Sequence, residues 1–167
     1  MPEYYIAGRC AARCHLTRVA GNIFHHSLEM LLKSELGKHA GLDDLKANYG
    51  HKLDKLWRAI KESHPGDGLD RFDRLIAELD RFETVRYPND YMKHGAAFSI
   101  DWSPLTLTSE QQEPSLPRYA FRIADIDALV ARLFQVCQMN PKYFWGGVGA
   151  ATREAIEFQN NEVSNWL

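Results

Sequence analysis

The chain has 167 residues, 45% of them apolar and 25% charged, and its 20 lysines and arginines against 22 aspartates and glutamates leave a net charge of -2. That is enough chain to bury a hydrophobic core without disulfides or a structural metal, and the balance excludes a fibrous repeat, a disordered polyampholyte and a polybasic tail. No run approaches the roughly 18 apolar residues of a membrane span and no leader pattern opens the chain, so the expected compartment is the cytoplasm and any affinity for nucleic acid must be local. The three cysteines, Cys10, Cys14 and Cys137, cannot all pair, which fits a reducing compartment.

In chain order, residues from about Glu3 to Lys38 contain no proline and read as one long helix or two stacked ones, with Phe24, Leu28, Leu31 and Leu32 on the core face. Gly37 and Gly41 bracket its end, as when a left-handed glycine closes a helix. After the break at Asn48-Tyr49-Gly50, Leu53, Leu56, Trp57 and Ile60 predict a short amphipathic helix. The turn-forming run Ser63 to Gly68 precedes a third helix on Phe72, Leu75, Ile76, Leu79 and Phe82, which should end near Arg86 or Tyr87 ahead of Pro88.

The period then changes to two. Phe98, Ile100 and Trp102, and later Tyr119, Phe121 and Ile123, predict two strands of a small ribbon joined by a loop from Ser103 to Pro117 that could be mobile. Asp125 suits a helix N-cap, and Ile126, Leu129, Val130, Leu133 and Phe134 predict a fourth helix that stops before Asn140-Pro141. Residues 142–149 combine aromatics with three glycines and read as a turn, and 150–167 as a final helix or a partly ordered arm.

Three segments carry a family resemblance. The run from Asn22 to Lys33, in which Glu29 is followed four residues later by Lys33, resembles the first long helix of HEPN domains. Gly50-His51-Lys52-Leu53-Asp54-Lys55-Leu56 is similar to that family's glycine-histidine helix start, and Arg86-Tyr87-Pro88-Asn89-Asp90 to its helix-closing arginine-tyrosine-proline. The resemblance covers less than half of the chain. It implies a mainly α fold, a HEPN-like helical bundle over residues 1–167, here with a small inserted β-ribbon at about 96–123 and a C-terminal helical extension over 125–167. It also implies a homodimer in an RNA or nucleotide context. That context is either a metal-independent ribonuclease of a toxin–antitoxin or defence system, with an antitoxin or nucleotidyltransferase partner, or a non-catalytic protein-interaction or nucleotide-binding module. No metal or cofactor is expected.

Active members of the family carry an arginine and, after four to six residues, a histidine on a late helix. Arg86 and His94 here have seven residues between them, Pro88 included, and Arg18 and His25 have the six-residue gap on the first helix instead. These four are the candidate catalytic residues. At 100° per residue Arg18, Asn22, His25, Glu29 and Lys33 form one polar stripe, where a histidine beside a carboxylate suits acid–base work and the cations suit phosphate. The plainer alternative is an inter-helix face supported by the Glu29–Lys33 pair. Asn22, Glu29, Lys33, His51, Tyr87 and Asp90 are candidates for nucleotide or phosphate binding, although His51 also suits a turn-fixing role and Asp90 a hydrogen-bonded turn. Cys10 and Cys14, one helical turn apart, read as buried thiols, because no second cysteine pair completes a zinc site.

Overall fold

A computed structural model describes residues 2–87, 92–93, 95–102, 116–145 and 148–165. Over these residues the protein is mainly α-helical, with one short two-stranded sheet. No described helix is long and apolar enough to cross a membrane.

The first helical stretch is two helices, α1 (Pro2–Arg13) and α2 (Thr17–Leu36), packed on one another. The break falls at His15, whose φ of 56° is left-handed. The His15 N–H donates to Ala12 O at 3.0 Å and the Leu16 N–H to Ala11 O at 2.9 Å, the paired bonds of a Schellman closure. The glycines inside this stretch serve packing instead. A Cβ on Gly8 would lie 2.7 Å from the Phe24 ring, and one on Gly21 only 2.2 Å from the Phe82 ring. Gly37, expected to close α2 in a left-handed conformation, has φ -68° and does so within the right-handed region.

A helix that the apolar pattern did not announce follows, α3 (Leu42–Tyr49), with Asp43 and Asp44 in its first turn to complement the helix dipole. Then come α4 (Leu53–Ser63) and α5 (Asp73–Arg81), both with the expected apolar face buried, although α5 ends at Arg81, short of the expected Arg86 or Tyr87, and a separate 3-10 turn covers Thr84–Arg86. Asp80 on α5 accepts the Leu53 N–H at 2.8 Å and so satisfies an orphan donor at the start of α4. In the same pair of helices the Trp57 indole donates to Asp73 Oδ1 at 2.7 Å.

The two strands, β1 (Ala97–Asp101) and β2 (Arg118–Arg122), pair in parallel with Phe98 opposite Tyr119 and Ile100 opposite Phe121. Parallel neighbours need a connection of a dozen or so residues, and the sequence between the strands is long enough for one. Trp102 and Ile123 fall outside the strands. Residues 103–115 of the expected loop, like Pro88 to Asp90, Gly146 and Gly147, lie outside the described residues. The sheet rests on α2 and the end of α5 through aromatic contacts: the Phe24 ring of α2 meets Phe121 edge-on at 5.6 Å, and the Phe82 ring just after α5 meets Tyr119 and Phe121 edge-on at 5.5 and 5.4 Å, while Phe98 stacks on Tyr119 between the strands at 5.1 Å.

Helix α6 (Ile123–Val136) starts directly from β2, two residues before the Asp125 expected to cap it, with Arg122 at the N-cap and no side-chain cap. It buries the expected Ile126, Leu129, Val130, Leu133 and Phe134. It ends in a second Schellman closure around Gln138, φ 54°, with the Met139 N–H on Phe134 O at 2.8 Å. The short α7 (Lys142–Trp145) follows, and the tail forms α8 (Ala150–Glu157), which packs against α1.

Candidate functional site

Along α2 the polar stripe splits into an exposed end and a buried end. Arg18 is exposed, and Asn22, half-buried, donates from Nδ2 to the Arg18 carbonyl at 3.1 Å. His25 is buried. Its Nδ1 lies 3.0 Å from Leu79 O, and since a carbonyl only accepts, Nδ1 carries the proton. Its Nε2 makes no hydrogen bond and faces two carboxylates, Glu83 Oε2 at 3.8 Å and Glu29 Oε2 at 4.0 Å.

Glu29 is the centre of the cluster. It is 2% exposed, yet Lys33 Nζ donates to its Oε1 at 2.6 Å and His51 Nδ1 stands 3.0 Å from the same oxygen. His26 Nδ1 lies 3.5 Å from Oε2. Lys33 also donates to the Gly50 carbonyl at 2.6 Å, which ties α2 to the turn that delivers His51. Gly50 has φ 54°, a left-handed value that a glycine adopts at no steric cost. Burial acts to raise the Glu29 pKa, but the hydrogen bond and charge of Lys33, reinforced by His51, outweigh it and hold the carboxyl below its ordinary range. Glu29 is therefore an anion at neutral pH, held under a surface of imidazoles.

The exposure of those imidazoles is the chemical point. The side chains of His26 and His51 are 41% and 63% exposed, against 3% for Glu29. With each Nδ1 turned toward the carboxylate, each Nε2 is on the far side of its ring. The Tyr4 ring meets His26 edge-on at 4.5 Å and narrows its choice of orientation. A carboxylate that orients an imidazole through one nitrogen and leaves the other available is the arrangement used for proton transfer.

The structure thus brings together His25, Glu29, Lys33 and His51 on or against α2, leaves Asn22 at the Arg18 end of the helix, and adds His26 and Glu83, which the sequence did not single out. His26 could have been found from its i,i+3 spacing to Glu29. Of the two expected arginine–histidine pairs, only Arg18 and His25 both fall within the described residues. Arg18 is exposed while His25 is buried, Arg86 is exposed on Glu83 at 3.2 Å, and His94 and Asp90 lie outside the described residues. Tyr87 is 66% exposed.

Two other polar features have structural roles. Arg9, buried among α1, α6 and the tail, holds both Asp127 oxygens from NH1 at 2.5 Å, Ala155 O from Nε at 3.0 Å and Phe158 O from NH2. Tyr5 donates to Asp127 at 2.6 Å and accepts from Asn160 at 3.1 Å, so the Arg9 guanidinium is spent on a clip between the chain ends. A cleft of about 380 Å³ is lined by Gly66, Asp67, Gly68, Arg71, Arg132 and Gln135, but Arg132 is committed to the Asp67 carbonyl at 2.6 Å.

The cysteines correct an expectation: Cys10 and Cys14 are exposed and Cys137 is buried. Cys10 lies on the outward face of α1, whose buried face belongs to Tyr5, Gly8, Arg9 and Ala12, and Cys14 lies just past its end. Among the described residues no group of three or more histidine, cysteine or acidic side chains is placed to hold a metal ion. Comparison of the chain with models of known families, with curated proteins and with solved structures finds no match.

Proposed function

We propose that this is a HEPN-like helical protein that acts in an RNA context as a metal-independent ribonuclease. The observation that supports it most is the meeting of two segments far apart in sequence. Lys33 joins Glu29 to Gly50 O, and His51 returns to Glu29, so the glutamate–lysine helix and the glycine–histidine turn form one cluster with imidazoles at the surface. Such a cluster supplies general acids and bases near neutral pH without a metal. Lys52 and Lys55, exposed beside it in the chain, offer charge for phosphate.

The test is incubation of the purified protein with labelled single-stranded RNA, with and without chelator, alongside a salt titration of binding. Binding that weakens with salt and cleavage that resists chelator are the expected result. The absence of both at low salt would sink the RNA reading.

A second reading, a non-catalytic module that binds a partner or nucleotide, has its own observation. Arg18 and His25 are not jointly open to one phosphate, and Arg86 is paired with Glu83. Salt-sensitive binding without cleavage would favour it.

A further inference from the structure

We propose that His26 and His51 are the proton-transfer pair of this protein and that Glu29 is the positioning residue for both, the substrate being a phosphodiester with a neighbouring hydroxyl, as in single-stranded RNA. The inference rests on the RNA reading above and names the groups that would do the chemistry. It differs from an arginine–histidine pair on a late helix in both residues and place.

Four features of the site carry it. Both rings stand against one carboxylate, His51 Nδ1 at 3.0 Å from Oε1 and His26 Nδ1 at 3.5 Å from Oε2, and both side chains are open to solvent, so one buried anion lies behind two accessible imidazoles. The carboxylate is buried and ionised, and its charge is balanced by Lys33 at 2.6 Å, so it can orient the rings without itself taking the substrate proton. Each ring is braced: His51 by the left-handed Gly50 turn that Lys33 fastens, and His26 by α2 and the edge of Tyr4. The third histidine, His25, is closed off, with its Nδ1 on Leu79 O and its ring buried, so it supports the cluster from beneath.

The step balances without metal or redox partner. One imidazole, neutral at Nε2, takes the proton of the 2′-hydroxyl as that oxygen bonds to phosphorus. The bond from phosphorus to the 5′-oxygen breaks, and the leaving oxygen takes a proton from Nε2 of the other imidazole, which starts as imidazolium. The products are a 2′,3′-cyclic phosphate end and a 5′-hydroxyl end, and the two histidines have exchanged protonation states.

The test uses a fluorescent oligodeoxynucleotide that contains a single ribouridine, with the all-deoxy oligonucleotide as its control, and the variants His26→Asn, His51→Asn and Glu29→Gln. Asparagine keeps an N–H near the position of Nδ1 and removes Nε2, so the Glu29 contact and the fold, checked by circular dichroism, are retained. Each histidine variant is expected to lose about 100-fold or more in kcat with little change in KM and to flatten one limb of the pH–rate profile. Glu29→Gln is expected to lower kcat and displace that profile, which a merely structural glutamate would not do. The all-deoxy control should bind and stay intact. Wild-type cleavage that persists undiminished in both histidine variants would overturn the assignment and leave the RNA reading standing. Wild-type binding of RNA without any cleavage would overturn the assignment as well. Neither binding nor cleavage by the wild type would remove the RNA reading and the inference with it.

Discussion

Gly21 is where α2 is thinnest, because the Phe82 ring occupies the space a side chain would need, with a notional Cβ at 2.2 Å. Alanine is the better helix former by about 1 kcal/mol, but the overpacking of a fully buried ring surrounded by Phe98, Tyr119 and Phe121 outweighs that gain. Gly21→Ala is therefore expected to destabilise the protein by about 1–3 kcal/mol, read as a lower urea midpoint at unchanged m-value. The thiols divide just as sharply. Burial first, then the charge and hydrogen bond of Glu35, push Cys137 up to about 12, whereas Cys10 and Cys14 are exposed. A thiol-specific reagent at neutral pH should titrate two cysteines in the native protein and all three in denaturant. Residue identity suggested none of this: nothing in a sequence says which glycine faces a ring, or on which side of α1 a cysteine sits.

Between elements, the contacts that matter are polar ones across helices. Glu29 joins α2 to the α3–α4 turn, and its folded-state pKa lies below that of the unfolded chain. Between the two values the unfolded state binds more protons, so the stabilisation is fully present above the ordinary carboxylate pKa of about 4.3 and is lost as pH falls through the depressed folded value. Glu29→Gln should cost about 1.5–3 kcal/mol at pH 7, and the gap between variant and wild type should narrow as urea melts are taken down through about pH 4. A constant gap over that range would disprove the ionic origin. Helix ends offer a second check. Gln138 closes α6 at φ 54°, a conformation that costs an L-residue about 1–2 kcal/mol and glycine almost nothing. Gln138→Gly should raise the melting temperature, after part of the gain is offset by glycine's freedom in the unfolded chain.

For the whole molecule, the question is what ties the first helix to the last. Arg9 and Tyr5 on α1 hold Asp127 on α6, Ala155 on α8 and the Phe158 and Asn160 that follow it, all at or near full burial apart from Phe158. Removal of one partner from a buried pair leaves an uncompensated charge, so Asp127→Ala is expected to cost about 3–5 kcal/mol. The same variant should make α8 the first part to open in hydrogen exchange, because the guanidinium that donates to the Ala155 and Phe158 carbonyls loses its anchor. If α8 exchanges no faster in that variant than in the wild type, the clip does not couple the chain ends.

The helices with the plainest apolar period were legible from the chain by itself. Leu53 to Ile60, Phe72 to Phe82 and Ile126 to Phe134 form buried helical faces, and the change of period at Phe98 and Tyr119 marks the strands, because side-chain spacing follows directly from backbone geometry. The polar stripe of α2 was legible for the same reason, and Glu29, Lys33 and His51 do meet. Tertiary structure decided the rest. A left-handed histidine at position 15 divides the long helix, α3 forms with hardly an apolar pattern, and the strands pair in parallel, all choices set by packing and backbone closure that no local spacing encodes. It also decided that His25, first among the candidates by spacing, is buried on a carbonyl while its neighbour His26 faces solvent. One residue is a rotation of about 100° on a helix, and what that rotation meets depends on which elements pack beside it.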